Sequence, residues 1–386
     1  MRRLLLLTGV IVFVDTMLYA ALTPLLPHFA HELGLSKTRA GGLVAAFAAG
    51  ALMGGLPGGI ASTRLGARRS VLVGLAGMAV ASIGFAFAGS FWSLFAARFV
   101  QGCSSGFTWA GALAWLLAAT PRARRGEVIG AALGAAVFGA LFGPVIGAAA
   151  ALAGRAAVFC VLAALTVVLG AWTARLAAPA PEERSAVGLP RALRNRRFAA
   201  GLVLMALASL LFGVLGVLGP LHLARAGWGA AAIGGIWLVG AACETVQAPL
   251  LGRLLDRRGR LLPVRVSLAA SALASLGLAT GARPLLYVPL IVAAEATYGA
   301  LFTPAFALIA DGAEGAGLAQ GMAFGFMNAA WALGAVVGPA AGGAIAGVTG
   351  DWIPFVLAAF VCAFALAATR ARSTERRVSL AARKPI

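Results

Sequence analysis

Apolar runs of roughly 20 residues recur from one end of the chain to the other, and short polar segments separate them. A run of that length crosses the hydrocarbon core of a bilayer as a helix, because a helix satisfies its own backbone hydrogen bonds there. The runs lack the apolar-polar alternation of a barrel strand. The pattern predicts twelve helices, at residues 4–27, 38–61, 71–89, 91–119, 126–150, 155–176, 198–222, 229–252, 261–281, 284–310, 317–346 and 351–369.

The longest polar segment divides the predicted helices into two equal sets. Residues 177–197 are rich in proline, charge and small side chains, which is typical of a linker. We therefore expect an N-terminal bundle over residues 1–176, a C-terminal bundle over residues 198–370 and a basic cytoplasmic tail over residues 371–386. The predicted fold class is an all-α membrane protein with twelve transmembrane helices in two six-helix bundles.

The two predicted bundles repeat each other in sequence. The loop that begins at Gly59 has a counterpart that begins 193 residues later, at Gly252. The pair Gly143-Pro144 recurs 195 residues later as Gly338-Pro339. Internal repeats are common among transporter folds, in which the substrate site lies between the repeats near the middle of the bilayer. The repeat predicts that the two bundles are pseudo-symmetric.

Composition and charge narrow the class of protein further. Of the 386 residues, 61% are hydrophobic and 11% are charged, whereas about a quarter of the residues in a soluble domain are charged. The net charge of +19 does not indicate nucleic-acid binding, because the arginines form short clusters between apolar runs. Most of the clusters fall on one side of the predicted topology, and the other side carries only Lys37, Arg39, Arg155, Arg225 and Arg283. This asymmetry predicts a multi-pass protein of a bacterial inner membrane with both termini in the cytoplasm.

Glycines in predicted helix 2 indicate close packing of helices. Gly50, Gly54 and Gly58 are four residues apart, so they share one face of the helix. Small residues at this spacing let two helix backbones approach each other in a bilayer.

Three segments match signature motifs of a known family. They are the loop from Gly252 to Arg260, the segment Arg98–Gly102 and the segment around Gly143-Pro144. The whole chain resembles the major facilitator superfamily, in particular its twelve-helix drug:proton antiporter branch of multidrug efflux proteins. Asp15–Pro27 and Asn328–Pro339 are similar to segments of the vesicular amine transporters and their bacterial relatives. The resemblance implies proton-coupled efflux of small amphipathic or cationic molecules, such as drugs, by alternating access.

The resemblance also implies residues that gate the transporter. Two positions depart from the family pattern: Thr63 stands where an aspartate is usual, and Asn328 stands where the amine transporters carry an acid. The implied gating residues are Gly59, Thr63, Arg64, Gly66, Arg68, Gly139, Gly143, Pro144, Gly252, Asp256, Arg257, Gly259, Arg260, Gly338 and Pro339.

Ionisable residues well inside predicted helices are the candidates for proton coupling. They are Asp15, Arg98, Glu244 and Glu295. A charge at the bilayer centre costs roughly 2.5–3.5 kcal/mol on insertion scales, so such a residue is a functional candidate by default. The helical rise places Asp15 roughly 16 Å and Arg98 roughly 20 Å from the cytoplasmic side of the membrane. The two residues can therefore meet if predicted helices 1 and 4 are neighbours. A purely structural ion pair is the alternative reading of Asp15 and Arg98.

Aromatic residues near these acids are candidates for holding an organic cation, because the face of an aromatic ring attracts cations. Tyr19 lies one helical turn from Asp15, and Tyr298 lies three residues from Glu295. The predicted substrate-binding residues are Asp15, Tyr19, Trp109, Phe212, Trp237, Glu244, Glu295, Tyr298, Asn328 and Trp331.

Two other functions stay open at this point. One is a proton-coupled uptake symporter for a sugar or an organic acid, and the other is a membrane sensor or scaffold that transports nothing. An enzyme is not expected, because the three histidines form no catalytic arrangement and no phosphate-binding loop is present. We expect a monomer in the lipid bilayer that handles a small-molecule substrate and protons, with no metal, cofactor or nucleic acid.

Overall fold

The computed structural model of the protein describes residues 2–121, 125–177, 189–259, 261–281, 283–318 and 320–381. Every regular element within these ranges is an α-helix. The helices are α1 (Arg2–Ala20), α2 (Leu22–Glu32), α3 (Lys37–Arg64), α4 (Ala67–Ala86), α5 (Phe91–Ala118), α6 (Arg125–Ala153), α7 (Arg155–Arg175), α8 (Leu189–Arg194), α9 (Arg196–Arg225), α10 (Ala230–Arg258), α11 (Leu261–Ala279), α12 (Pro284–Gly299), α13 (Phe302–Ala316), α14 (Gln320–Thr349) and α15 (Trp352–Ala381).

These helices account for the twelve predicted crossings. Helices α1 and α2 together make one interrupted crossing, α12 and α13 make another, and α8 is a short helix in the predicted linker. Eleven segments of the described chain are long and apolar enough to span a membrane. The remaining crossing is α5, which is 28 residues long and carries polar side chains such as Arg98 and Gln101. The prediction of an all-α membrane protein with twelve crossings is confirmed.

Four crossings are longer than predicted. Crossings 1, 8, 10 and 12 end at Glu32, Arg258, Ala316 and Ala381, which is five to twelve residues beyond the predicted ends. The apolar pattern marks only the part of a helix that lies in the bilayer, whereas helical hydrogen bonding continues into polar sequence. The predicted tail over residues 371–386 therefore begins inside α15. Residues 178–188 of the predicted linker lie outside the described residues.

Short loops with serine and glycine connect successive helices. The side chain of Ser36 caps α3 by accepting a hydrogen bond from the Arg39 backbone N–H, and Ser90 caps α5 in the same way. Gly66 before α4 has a φ of 89°, and Gly259 after α10 has a φ of 72°, a region that side-chain-bearing residues rarely adopt. Such tight connections keep consecutive crossings side by side and opposite in direction.

The two bundles repeat the same packing. A Cβ on Gly143 of α6 would lie 2.9 Å from the backbone oxygen of Met17 on α1. A Cβ on Gly338 of α14 would overlap the backbone of Leu210 on α9. The two glycines are 195 residues apart and the two positions they contact are 193 residues apart, as the sequence repeat predicts. The expected pseudo-symmetry is thus present in the packing of the helices.

The glycine stripe of α3 packs as its spacing predicts. A Cβ on Gly50, Gly54 or Gly58 would collide with backbone atoms of α5 at Phe99, Cys103 or Gly106. This close approach brings the functional side chains of α5 into a fixed register with the rest of the N-terminal bundle.

The bundle has two faces, because consecutive crossings run in opposite directions. We call the face with Arg2 and Arg258 the terminal face, and the face with Lys37 and Asp351 the distal face. Near the distal face, α3 packs against α14 and α6 packs against α10. On the parts of these helices nearer the terminal face, an added Cβ would meet no described atom within 4 Å at Gly59, Gly134, Gly252 and Gly325. Among the described residues, the bundles therefore touch near the distal face, and these four glycines take part in no such contact nearer the terminal face.

Candidate functional site

Both interrupted crossings carry a buried acid beside the interruption. Pro24 follows the end of α1 and Pro304 follows the end of α12. Proline has no N–H, so each one leaves the carbonyl four residues earlier without its helical donor. Asp15 and Glu295 each lie five residues before that carbonyl. Interrupted helices form the substrate and ion sites of many transporters, because they expose backbone polar groups inside the membrane.

Asp15 is held by donors from α5. The Ser105 hydroxyl and the Trp109 indole N–H donate to its Oδ2 at 2.7 and 2.9 Å. The single hydroxyl hydrogen of Thr108 lies between Oδ1 of Asp15 at 3.4 Å and the nearer backbone oxygen of Ser105 at 2.9 Å. The carboxylate is buried, with 2% of the residue exposed. Both Asp15 and Trp109 were predicted to lie at the site, and the structure brings them into direct contact.

Arg98 interacts with the backbone beside the interruption rather than with Asp15. Its guanidinium donates to the backbone oxygens of Leu18 at 2.8 Å and Tyr19 at 2.9 Å. It also lies over the ring of Phe47, 4.8 Å from the centroid. Helices α1 and α5 are neighbours as predicted, but the described residues show no ion pair between Arg98 and Asp15. Arg98 supplies donors to carbonyls in a region where water is scarce.

Glu244 and Glu295 both lie in the contact between α10 and α12, each opposite a glycine of the other helix. A Cβ on Gly240 of α10 would lie 2.7 Å from Cβ and 2.8 Å from Cγ of Glu295. A Cβ on Gly299 of α12 would lie 2.8 Å from Oε1 of Glu244. The two glycines thus make room for the two acids, which are close enough to interact electrostatically.

Glu295 differs from Asp15 in its lack of partners. Only 4% of the residue is exposed, and its Oε1 has no hydrogen-bond partner among the described residues. The Gln247 amide of α10 donates to the backbone oxygen of Ala296, the residue that follows Glu295, and not to the Glu295 carboxyl group. A buried carboxyl group without a donor or a cation is a costly arrangement unless the group carries a proton or binds a ligand.

Aromatic rings connect the two bundles next to these acids. The ring centroid of Tyr19 on α1 lies 5.2 Å from that of Phe47 on α3 and 5.2 Å from that of Trp331 on α14. Tyr19 also lies within electrostatic range of Glu295. We call Tyr19, Phe47 and Trp331 the aromatic bridge.

A second group of aromatic rings belongs to the C-terminal bundle, which also contains Glu295. Phe212 stacks on Phe302 at a centroid distance of 5.8 Å and meets Tyr298 edge-on at 5.9 Å. The Tyr298 hydroxyl hydrogen-bonds to Ser275 at 2.7 Å.

Two other predicted substrate-binding residues are not part of either group. Trp237 is buried against Gly219 of α9, and Asn328 is half-buried one turn before Trp331.

The predicted gating residues lie mainly on the terminal face and along the glycine contacts. Arg68 donates to the backbone oxygen of Leu176 at 3.3 Å and so joins its loop to the end of α7. Arg64 and Arg257 are exposed. The side chains of Thr63 and Asp256, and all of Arg260, lie outside the described residues.

An ion cluster at the distal face joins the two bundles. Asp351, between α14 and α15, pairs with Lys37 of α3 at 2.6 Å and with Arg225 at the end of α9. Lys37 also donates to the backbone oxygen of Ala346 at 3.3 Å. Burial raises the pKa of Asp351, but the hydrogen bonds and charges of Lys37 and Arg225 outweigh burial and hold the pKa below its ordinary value. Within the described ranges this is the one cluster of ion pairs between the bundles.

Asp351→Asn is expected to weaken closure of the distal face by about 1 kcal/mol, since a half-buried ion pair stabilises a contact slightly more than an exposed ion pair does. The pKa of Asp351 is lowered in the closed state. The ion cluster therefore stabilises the closed state fully at any pH above the ordinary pKa of an aspartate, and this stabilisation is lost as the pH falls through the lowered pKa. The effect of the substitution is therefore expected to be equal at about pH 5 and about pH 8. Distances between spin labels on His31 and Arg283, both exposed at the distal face, measure the closure.

Glu32→Gln is the matched control, because Glu32 pairs with His28 within α2 at 3.3 Å and does not join the bundles. An unchanged distance distribution in Asp351→Asn, or a change found only at the lower pH, would contradict the assignment.

Sequence analysis missed several residues of these sites. Ser105 and Thr108 carry a signal that was available, because Arg98, Gln101, Ser105 and Thr108 follow one another at helical spacing in an otherwise apolar segment. Phe47, Gly240 and Asp351 carry no such signal, since their roles depend on partners that are remote in sequence.

A cavity at the terminal face lies away from this chemistry. It has a volume of 520 Å³ and lies between the start of α1 and the end of α5. Its lining consists of Arg2, Arg3, Leu4, Trp115, Ala119, Leu176 and Ala177. None of the buried acids lines it, so it is not the candidate site.

Comparison with known proteins gives one family and one architecture. Residues 8–322 match the sequence model described as Major Facilitator Superfamily. No curated protein sequence matches the chain. Among solved structures, a variant of the nucleoside transporter NupG is 18% identical with a TM-score of 0.73, and the match covers 95% of this chain and 99% of that chain. NupG itself is 17% identical with a TM-score of 0.72, and the match covers 95% and 98%.

Proposed function

The chain belongs to the major facilitator superfamily, and we propose that it exports small amphipathic or cationic molecules in exchange for protons. Membership of this superfamily makes the chain a multi-pass membrane transporter and not an enzyme. The likeness to NupG is one of fold, because the identity is only 18%. The proposed substrate class rests on the site itself.

The observation that carries the proposal is the environment of Glu295. It is a buried acid without a donor or a cation among the described residues, and it lies within electrostatic range of Tyr19 and Tyr298. Tyr19 belongs to the aromatic bridge, and Tyr298 packs against Phe212, so each of the two tyrosines near this acid is part of a group of aromatic rings. An organic cation is attracted by such rings, by about 2 kcal/mol or more where water is excluded. A highly polar sugar would find few hydrogen-bonding side chains there.

Proton coupling follows from the cost of a buried negative charge. Without substrate, an acid in a low-dielectric site is stable when it is protonated. A cationic substrate supplies the compensating charge, so substrate and proton compete for the same carboxyl groups. Asp15, Glu244 and Glu295 are the proposed acids that between them bind the cation and the proton. Arg98 supports it indirectly, because it fixes the interrupted backbone beside Asp15.

Alternating access follows from the two pairs of inter-bundle contacts. The bundles touch where α3 meets α14 and α6 meets α10, and the glycines of these helices nearer the terminal face make no such contact among the described residues. The excess of arginine near the terminal face supports a cytoplasmic position for that face and for both chain termini. In this orientation the site is accessible from the cytoplasm, and export requires the distal contacts to open while the terminal face closes. One chain contains both bundles, so a monomer is sufficient.

Transport by reconstituted protein tests the proposal directly. Wild-type protein in liposomes with an imposed pH gradient is expected to move tetraphenylphosphonium against the proton flow. Asp15→Asn and Glu295→Gln are each expected to reduce this movement to the rate of protein-free liposomes, because each removes a charge that the cation or the proton needs. Glu314→Gln is the control, since Glu314 is exposed near the terminal end of α13.

Two outcomes would contradict the proposal. One is full gradient-driven movement of the cation by both acid variants. The other is a wild type that leaves the cation still but takes up a nucleoside or a sugar with protons, which would establish an uptake symporter.

A further inference from the structure

We propose that Glu244 and Glu295 form a single proton-binding pair, which Gly240 and Gly299 position, and that Asp15 is not a carrier of the transported proton. The inference deepens the proposed function and rests on it, because it assigns the coupling proton to one of the two acid sites. It assigns separate roles in proton and substrate binding to Asp15, Glu244 and Glu295, which the sequence alone offers together as candidates for proton coupling.

The first argument is the geometry of the contact between α10 and α12. Gly240 lies opposite Glu295, and one turn further along both helices Glu244 lies opposite Gly299. Each helix thus presents one glycine and one acid, at a spacing of four residues in both cases. Any larger residue in place of either glycine would displace the acid opposite it. The arrangement keeps two carboxyl groups in one narrow contact and within electrostatic range of each other.

The second argument is the lack of compensating charge around the pair. Tyr298 faces it from α12 and is engaged with Ser275 of α11. Tyr19 of α1 also faces the pair. The guanidinium of Arg98 is bound to the backbone oxygen of Tyr19. The described residues place no lysine, arginine or histidine within ion-pair distance of either glutamate. Two adjacent carboxylates without a cation cannot both be charged at low cost, so the pair retains one proton.

The third argument is the contrast with Asp15. Ser105 and Trp109 donate to its carboxylate, and hydrogen bonds to the charged form of an acid favour that form. Asp15 therefore holds a negative charge more readily than the glutamate pair, which has no such donors among the described residues, and it attracts the cationic substrate. The glutamate pair changes between one and two bound protons. Binding of a monovalent cation then releases about one proton, because the pair and the cation together stay neutral.

Infrared titration of the purified protein tests the pair without any substrate. The part of the carboxyl absorbance that the double variant Glu244→Gln, Glu295→Gln lacks is expected to change in two steps in the wild type, separated by more than about one pH unit. In Glu244→Gln or Glu295→Gln a single step is expected, at a pH between the two wild-type steps. Independent acids would instead lose one step and leave the other where it was, and that result would overturn the proposal. Asp15→Asn is expected to leave both steps unchanged, and a lost or moved step in that variant would also overturn it.

Gly240→Ala tests the positioning role, because the added Cβ would meet Cγ of Glu295 and also its Cβ, which the backbone fixes in place. The separation between the two steps is expected to shrink. Gly235→Ala on the same helix is the control, since an added Cβ there meets no described atom within 4 Å. Equal titrations of the two glycine variants would contradict the positioning role.

Proton release on binding of tetraphenylphosphonium connects the pair to transport. The wild type is expected to release about one proton per bound cation, and both glutamate variants are expected to lose this release while Asp15→Asn loses affinity. Release that persists in both glutamate variants would overturn the assignment. If the wild type does not bind the cation, the proposed substrate class fails, and the infrared titration still decides whether the pair exists.

Discussion

Gly41→Ala is expected to keep the distal face from closing and to shift the protein towards its opposite conformation. An added Cβ at this position would overlap the backbone oxygen of Pro339 and would lie 3.3 Å from Cα of Gly343, on the facing helix α14. Backbone atoms cannot rotate away, so the contact between α3 and α14 has to separate. Overpacking costs about 1–3 kcal/mol, which changes a conformational equilibrium about 5- to 150-fold. The measurement is the distance distribution between spin labels on His31 and Arg283.

Gly42→Ala is the matched control for this prediction. Its Cβ would have only an ordinary contact, 3.9 Å from the ring of Phe91. The two alanine variants carry the same change in helix propensity at adjacent positions, so a difference between them reports the inter-bundle contact. Identical distance distributions for both variants would show that the contact does not control closure.

Arg98→Lys is expected to destabilise the N-terminal bundle strongly, although it preserves the charge. The guanidinium reaches the backbone oxygens of both Leu18 and Tyr19 with separate nitrogens and lies over Phe47. The compact ammonium group of lysine cannot reproduce this fork. A lost hydrogen bond to a charged group costs about 1.5–3 kcal/mol, and water cannot replace it here. We expect a lower midpoint of thermal unfolding in detergent.

Arg39→Lys provides the comparison, because Arg39 also lies over a ring, that of Phe91 at 5.7 Å, but is exposed at the distal face. Its substitution is expected to leave the unfolding midpoint within experimental error of the wild type. A midpoint for Arg98→Lys that equals that of Arg39→Lys would contradict the assigned role.

Helix packing in this protein was largely predictable from glycine positions. The stripe formed by Gly50, Gly54 and Gly58 contacts α5, as its spacing predicts. The repeated pairs around Gly143 and Gly338 contact equivalent positions in the two bundles. Such contacts are local in origin, because a small residue at every fourth position defines a helix face whatever its partner is. The partner of that face had to come from the structure.

The buried charges were found from the sequence, but their partners were not. Asp15, Arg98 and Glu295 stand out because a charged residue in an apolar run is rare. The depth estimate correctly put Asp15 and Arg98 near each other, yet Arg98 binds the backbone at Leu18 and Tyr19. Register along a helix follows from counting residues, whereas the direction of a side chain depends on the rotation of the helix against its neighbours.

The sequence by itself determined the number and order of the membrane crossings, because length and apolarity are properties of each segment alone. Only the tertiary structure decided which groups meet. Ser105 reaches Asp15 across 90 positions of the chain, and Asp351 reaches Lys37 across more than 300. It also decided that Gly240 makes room for Glu295 and that the distal face is the closed one. These outcomes depend on how twelve similar helices pack against one another, and apolar periodicity does not distinguish one neighbour from another.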